Sequence, residues 1–169
     1  VTEMSPMIIQ AREEHIADAV AFAALVRKEV MPMFAINGLP PDLVNFSEHY
    51  LQQAGAAFFL ALSERGEIGG CIGVQPYDNR IETAQYEANR PAAEIVKCYV
   101  AAGSRRSGVG SLLTAEAKRF IAQQGYSVAY LHTHRFLKGA VDFWQRQGFV
   151  ITAEDQDEWQ TVHMDASVT

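Results

Sequence analysis

Arg105-Arg106-Ser107-Gly108-Val109-Gly110-Ser111 stands between a strand-like run at 94–100 and a helix-like run at 110–124. That order builds an anion site. Glycines without a Cβ let backbone amides crowd around a phosphate, and the helix start adds N–H groups that have no partner within the helix. The positive end of the helix dipole and the two arginines supply charge. The stretch therefore predicts a ligand that carries phosphate.

Two common phosphate signatures are excluded. A dinucleotide fingerprint needs Gly-x-Gly-x-x-Gly, but Gly108-Val109-Gly110-Ser111-Leu112-Leu113 ends in leucine, and the region where a ribose-binding acid would fall reads Val128-Ala129-Tyr130-Leu131. A Walker loop would close in Gly-Lys-Ser/Thr, and no Gly-Lys followed by Ser or Thr occurs in the chain.

Working outward, residues 7–12 read as a first strand, and 14–31 as a helix with Ile16, Ala19, Val20, Ala23, Leu25 and Val26 near helical spacing. Pro32 breaks that pattern. Residues 37–42 form a loop, and a second helix starting near Pro41 or Asp42 carries Leu43, Phe46, Tyr50 and Leu51 up to Gly55. Strands at 57–62 and 68–74 flank a Gly-containing turn, and Gly69, Gly70 and Gly73 mark bulging or close packing. Residues 77–91 read as an irregular loop, either lying over an acceptor pocket or simply solvated. Beyond the glycine stretch come a strand at 127–133, a late helix at 137–147, and two antiparallel strands at 150–153 and 158–164 around the acidic turn Glu154-Asp155-Gln156-Asp157.

Composition bounds the function. The chain has 169 residues, 49% hydrophobic and 20% charged, which suits one globular domain over 1–169. A net charge of −6 with no basic block argues against nucleic acid and favours a cationic or small neutral substrate. Cys71 and Cys98 lie in strand-like runs without metal spacing and read as buried apolar residues in a reducing compartment. No apolar run approaches the roughly 18 residues of a membrane span, and Val1-Thr2-Glu3-Met4-Ser5 lacks a signal-peptide build, so a cytoplasmic protein away from membranes is expected. His132 and His134 have the spacing that puts two imidazoles on one strand face, but no third ligand is evident and no metal is expected.

The glycine stretch resembles the pyrophosphate loop of the GNAT superfamily of acyl-CoA-dependent N-acetyltransferases, Arg/Gln-x-x-Gly-x-Gly/Ala, through Arg105, Gly108 and Gly110. Residues 93–100 resemble the family's preceding strand, with Glu94 six residues before Val100. Ala129-Tyr130-Leu131-His132-Thr133 resembles the next strand, and 140–149 the late helix with its Gly148-Phe149 ending. The resemblance is specific over 93–150, the cofactor-binding unit. It implies an α/β (α+β) fold with a mixed, mainly antiparallel sheet of about seven strands flanked by helices and splayed between the fourth and fifth strands. It also implies acetyl-CoA as acyl donor, direct transfer to a primary amine of a small molecule or peptide, and a homodimer.

Residue roles follow from the same resemblance. Arg105, Arg106, Ser107, Gly108, Val109, Gly110 and Ser111 would hold the pyrophosphate. Cys98, Tyr99 and Val100 would line the cofactor, with the Cys98 amide rather than its sulfur on the thioester oxygen. Glu94 would be the base, although a carboxylate paired with an arginine is the alternative. By the two-residue period Glu94, Val96, Cys98 and Val100 share one face.

The chemistry needs such a base: freeing the lone pair of a lysine-like amine at pH 7 costs about 4.6 kcal/mol, and that of an α-amine about 1 to 1.5. The sequence departs from the family at Trp144, where many members carry a tyrosine acid, because an indole N–H cannot protonate a thiolate. Trp144 would then pack against the pantetheine arm or serve the core. Tyr99, Tyr130, His132 and His134 stand as substitute acids, and a thiol near pKa 8.5 can also leave unaided. The departure at Trp144 motivates the alternative function, an acyl-CoA-binding sensor that has lost turnover.

Overall fold

The computed structural model describes residues 5–169. Most of the N-terminal stretch read as lacking a signal-peptide build, Val1-Thr2-Glu3-Met4, lies outside the described residues. The elements are β1 (Met7–Gln10), α1 (Ile16–Val30), α2 (Pro32–Ala35), α3 (Pro41–Val44), β2 (Ala57–Leu62), β3 (Ile68–Pro76), β4 (Ala92–Val100), α4 (Val109–Gln123), β5 (Val128–His134), α5 (Ala140–Arg146), β6 (Val150–Glu154) and β7 (Thr161–Ser167). They form the expected mixed α/β fold, a seven-stranded sheet in the order β1-β2-β3-β4-β5-β7-β6 flanked by helices.

β1 with β2, β2 with β3, β5 with β7 and β6 with β7 pair antiparallel. β4 and β5 pair parallel through Ala92↔Val128, Ala93↔Ala129 and Glu94↔Tyr130. A parallel pair needs a crossover, and the helix that follows the glycine stretch supplies it.

The packing divides into two compact units: the chain up to Gln75 with Val96–Ala117, and Pro76–Ile95 with Lys118–Thr169. In the first, Ala19, Ala23 and Val26 of α1 pack with Leu43, Phe46, Tyr50, Phe58, Leu60, Cys71 and Tyr99. The second helix expected up to Gly55 is not continuous. α3 stops at Val44, Asn45 leaves helical geometry at φ −112° and ψ 49°, and Ser47–Leu51 forms a wide π turn. That turn lets Phe46 and Tyr50 both bury against Phe58, with ring centroids 4.8 and 5.0 Å from it. Core packing overrides helical propensity here.

The three glycines of β3 are sites of close approach. A Cβ on Gly70 would sit 2.8 Å from Val109 Cγ1 and 2.9 Å from Leu113 Cδ1, so its absence lets the start of α4 lie on the strand. Gly69 and Gly73 are crowded in the same way, by Ser104 and Val96.

In the second unit Tyr77, Ala84, Ala92, Val128 and Tyr130 form a smaller core with Ile81 and Tyr86. Residues 77–91 are irregular, as expected, yet they are built rather than loosely solvated. Tyr77 Oη donates to Ala84 O at 2.8 Å, Asn79 brackets Tyr86 through both its amide atoms at 3.0 and 2.9 Å, and Tyr86 Oη donates to Asp165 at 2.8 Å.

Candidate active site

The first unit presents the glycine turn. Residues 105–108 form turns between a short 3-10 segment, Ala102–Ser104, and the first residue of α4. Arg106 and Gly108 both take left-handed backbone angles, φ 63° and 86°. Alternation of left-handed and right-handed residues turns successive N–H groups toward one side, which is how a backbone cradle for an anion is made. The first hydrogen bond of α4 runs from Leu112 N–H to Gly108 O at 3.0 Å, so the amides at its start point out of the helix. Arg105 Nε donates to Val100 O at 3.2 Å and ties the turn back to β4, and the Ser107 hydroxyl donates to Ser104 O. Arg105, Arg106, Ser107, Gly108 and Ser111 are exposed, whereas Val109 is buried as the turn's apolar anchor.

β4 departs from the expected pleat. Lys97 has φ 53°, a left-handed residue inside a strand, and both Val96 and Tyr99 pack into the same core cluster. Residues three apart lie on opposite faces of a regular strand, so Lys97 acts as a bulge that inserts one position. The expected common face of Glu94, Val96, Cys98 and Val100 therefore holds only as far as Val96. Beyond the bulge, Tyr99 takes the Val96 face, and Cys98 and Val100 turn to the other.

The bulge has local support. Lys97 Nζ lies 3.1 Å from Asp42 Oδ2, which also accepts from Tyr50 Oη at 2.5 Å, and the Cys71 thiol donates to Lys97 O at 3.2 Å. Tyr99, named above as a cofactor contact and a substitute acid, has its ring in the core, and burial raises its pKa. Burial also raises both thiols, Cys98 to about 12.

The second unit holds the ionisable cluster. Glu94 is fully buried on β4, and its two oxygens accept from Arg80 Nη1 and Nη2 at 2.8 Å each. Arg80 also reaches Asp78 at 3.3 Å and lies 5.6 Å over the Tyr77 ring. His132 Nδ1 stands 3.6 Å from Glu94 Oε2, just beyond hydrogen-bond distance. His132 and His134 share a face with ring centroids 6.0 Å apart, and His134 Nδ1 lies 2.9 Å from Trp159 O. Among the described residues no group of three His, Cys, Asp or Glu is placed to hold a metal.

Deeper in the same unit Tyr130 Oη lies 2.8 Å from His163 Nδ1, and His163 Nε2 lies 2.8 Å from Asp155 Oδ2. The bond from His163 lowers the Asp155 pKa, and burial raises that of Tyr130. Trp144 is buried with its ring edge-on to Phe143 and Phe149, at 4.9 and 5.3 Å.

The arginine pairing given as the alternative for Glu94 is realised by Arg80, which sequence reasoning did not identify, and His163 and Asp155 were missed as well. Arg80 lies in an irregular loop without a motif. The Tyr130–His163–Asp155 chain depends on the β5–β7 register, in which His132 opposes His163. No local pattern encodes that pairing.

Comparison with known proteins follows the same lines. The acetyltransferase (GNAT) family model matches residues 23–149. A mouse protein, N-acetyltransferase 8F1, is 26% identical over 125 residues, covering 74% of this chain and 53% of its own length. The chain thus spans about half the length of that relative. Among solved structures, a GNAT-family acetyltransferase from Staphylococcus aureus superposes with a TM-score of 0.74 at 20% identity, covering 96% of this chain and 99% of that one. The PaiA N-acetyltransferase from Thermoplasma acidophilum, solved in complex with coenzyme A, gives 0.67 at 16% identity, covering 97% of this chain and 99% of its own. No helix of the described residues is long and apolar enough to cross a membrane.

Proposed function

Because the chain belongs to the acetyltransferase (GNAT) family, we propose that it moves an acetyl group from acetyl-CoA to a primary amine of a small molecule or peptide, by direct transfer. The observation that carries this reading is the turn at 105–108, with left-handed Arg106 and Gly108 immediately before α4. Its amides and exposed arginines suit the diphosphate of coenzyme A. The cofactor-bound relative has the same fold, and the match between the turn and the ligand's charge is independent of it.

In this reading Arg105, Arg106, Ser107, Gly108, Val109, Gly110 and Ser111 hold the diphosphate. Cys98, Tyr99 and Val100 offer backbone groups to the pantetheine arm. The Cys98 N–H, one residue past the bulge, is the donor to the thioester oxygen, where negative charge grows as the amine attacks. Direct transfer is favoured over an acyl-cysteine route, because thiols raised by burial stay protonated and are poor nucleophiles. Trp144 fixes α5 and has no proton to give the leaving thiolate, which departs with solvent as its acid. Glu94 supplies the negative charge that draws a proton from the acceptor. The chain's net charge of −6 favours a cationic amine.

The test is release of free thiol from acetyl-CoA in the presence of glycinamide, spermidine, kanamycin and a lysine-bearing peptide. Amine-dependent release with at least one acceptor is expected. Tight acetyl-CoA binding with release to none would point instead to a sensor that has lost turnover.

A further inference from the structure

We propose, resting on the acetyl-transfer reading above, that His132 is the catalytic residue that touches the acceptor amine and takes its proton, with Glu94 behind it as charge partner and Arg80 as positioning residue. Glu94 itself is poorly placed for that contact. It has no exposed surface, and both of its oxygens already accept from Arg80. His132 is the group that connects this buried carboxylate to the surface: its Nδ1 faces Glu94 at 3.6 Å, and a third of its side chain is exposed.

The neighbourhood sets its protonation. His132 is faced by Glu94 of β4, by His134 on its own strand, by His163 of β7 at 6.1 Å between centroids, by the Tyr130 ring at 6.4 Å, and by Arg80 of the 77–91 loop. Restricted access to water, the largest cause, lowers its pKa to about 4 against the pull of Glu94, and the positive charge of Arg80 works in the same direction as burial. Arg80 matters because it occupies Glu94; a carboxylate left to His132 alone would hold the imidazole protonated. The ring is therefore neutral at pH 7. With its Nδ1–H toward Glu94, the Nε2 lone pair is left to accept.

The step balances. Nε2 takes one proton from the acceptor's ammonium, and the freed nitrogen forms its bond to the thioester carbon. The C–S bond breaks and the electron pair leaves on sulfur. The second proton lost from nitrogen neutralises the thiolate through solvent, and the imidazolium, held beside Glu94, returns its proton to water. One proton is released per acetyl group moved.

The experiment compares wild type, His132→Ala and His132→Gln for acetyl-CoA affinity and for kcat with the acceptors above, with and without added imidazole at neutral pH. Expected are unchanged acetyl-CoA affinity, a kcat lower by roughly a hundredfold or more in both variants, and recovery of His132→Ala by imidazole, which a purely structural role would not give. His132→Gln keeps the side chain's bulk and decides the matter if the alanine variant misfolds. Parental kcat in a folded variant, or a loss that imidazole leaves untouched, overturns the role of His132 alone. A wild-type chain that binds acetyl-CoA and acetylates no amine overturns the acetyl-transfer reading and this role with it.

Discussion

Glu94 and Asp42 show how single carboxylates shape the two units. Glu94 is buried against Arg80, so Glu94→Gln removes the charge that steadies a protonated His132 and leaves Arg80 without its main partner. We expect kcat to fall at least about tenfold, most steeply at low pH where the acceptor carries its proton. A pH–rate comparison with equal loss at every pH would contradict this. Asp42 pairs with Lys97 at 3.1 Å, and both side chains are largely covered. Asp42→Ala leaves a largely covered ammonium on a strained backbone, and thermal melting should report a loss on the order of 2 to 3 kcal/mol. Glu94 was singled out through the resemblance of 93–100 to the family's strand before its glycine turn, and the structure realises the alternative given for it, a carboxylate paired with an arginine. Arg80 was not singled out, because an arginine in an irregular loop carries no sign of which carboxylate it will meet.

At the scale of elements, the glycine turn depends on how α4 seats on β3. Gly70→Ala would press a methyl against Val109, Leu113 and the Tyr99 carbonyl, at 2.8, 2.9 and 3.3 Å. The expected cost is about 1 to 3 kcal/mol in melting, with weaker acetyl-CoA binding because the displaced helix start carries the cradle. Gly108→Val tests the turn itself. No atom lies near a Cβ there, so its effect comes from forcing a β-branched residue to φ 86°. Titration with acetyl-CoA should show affinity reduced by about tenfold or more. Hydrophobic period and turn chemistry located both long helices and six strands to within two residues, but set the last strand at 158–164 where β7 runs Thr161–Ser167. They missed the bulge at Lys97, because a left-handed lysine is imposed by Asp42 and Cys71 from distant segments, and one inserted position reverses every face after it. The π turn at Ser47–Leu51 escaped for a similar reason: its aromatic residues fit a helical spacing, and the need to bury two rings on Phe58 decided the geometry.

For the molecule as a whole, the histidines make stability depend on pH in a defined direction. His132 titrates at about 4 when folded, against an ordinary value of 6.5. Between those values the unfolded chain binds more protons than the folded one, so stability is fully present above pH 6.5 and is lost as the pH falls toward 4. His134, also lowered by burial, adds to the same trend. Asp155 acts lower on the scale, because its lowered pKa yields stability that is lost only below the ordinary carboxylate range. Melting temperature measured from about pH 7 to about pH 4.5 should therefore decline, and His132→Gln should flatten the curve; parallel curves would contradict the assignment. The family and a mixed, mainly antiparallel sheet of about seven strands were within reach of the sequence because the motifs that carry the resemblance lie together in 93–150. The polar chain from Tyr130 through His163 to Asp155 was out of reach, since β7 returns to lie between β5 and β6. The most direct test of the account is a crystal structure of this protein with acetyl-CoA. It should place the diphosphate oxygens within hydrogen-bond distance of the Gly108, Val109 and Gly110 amides; a diphosphate bound elsewhere on the chain would contradict it.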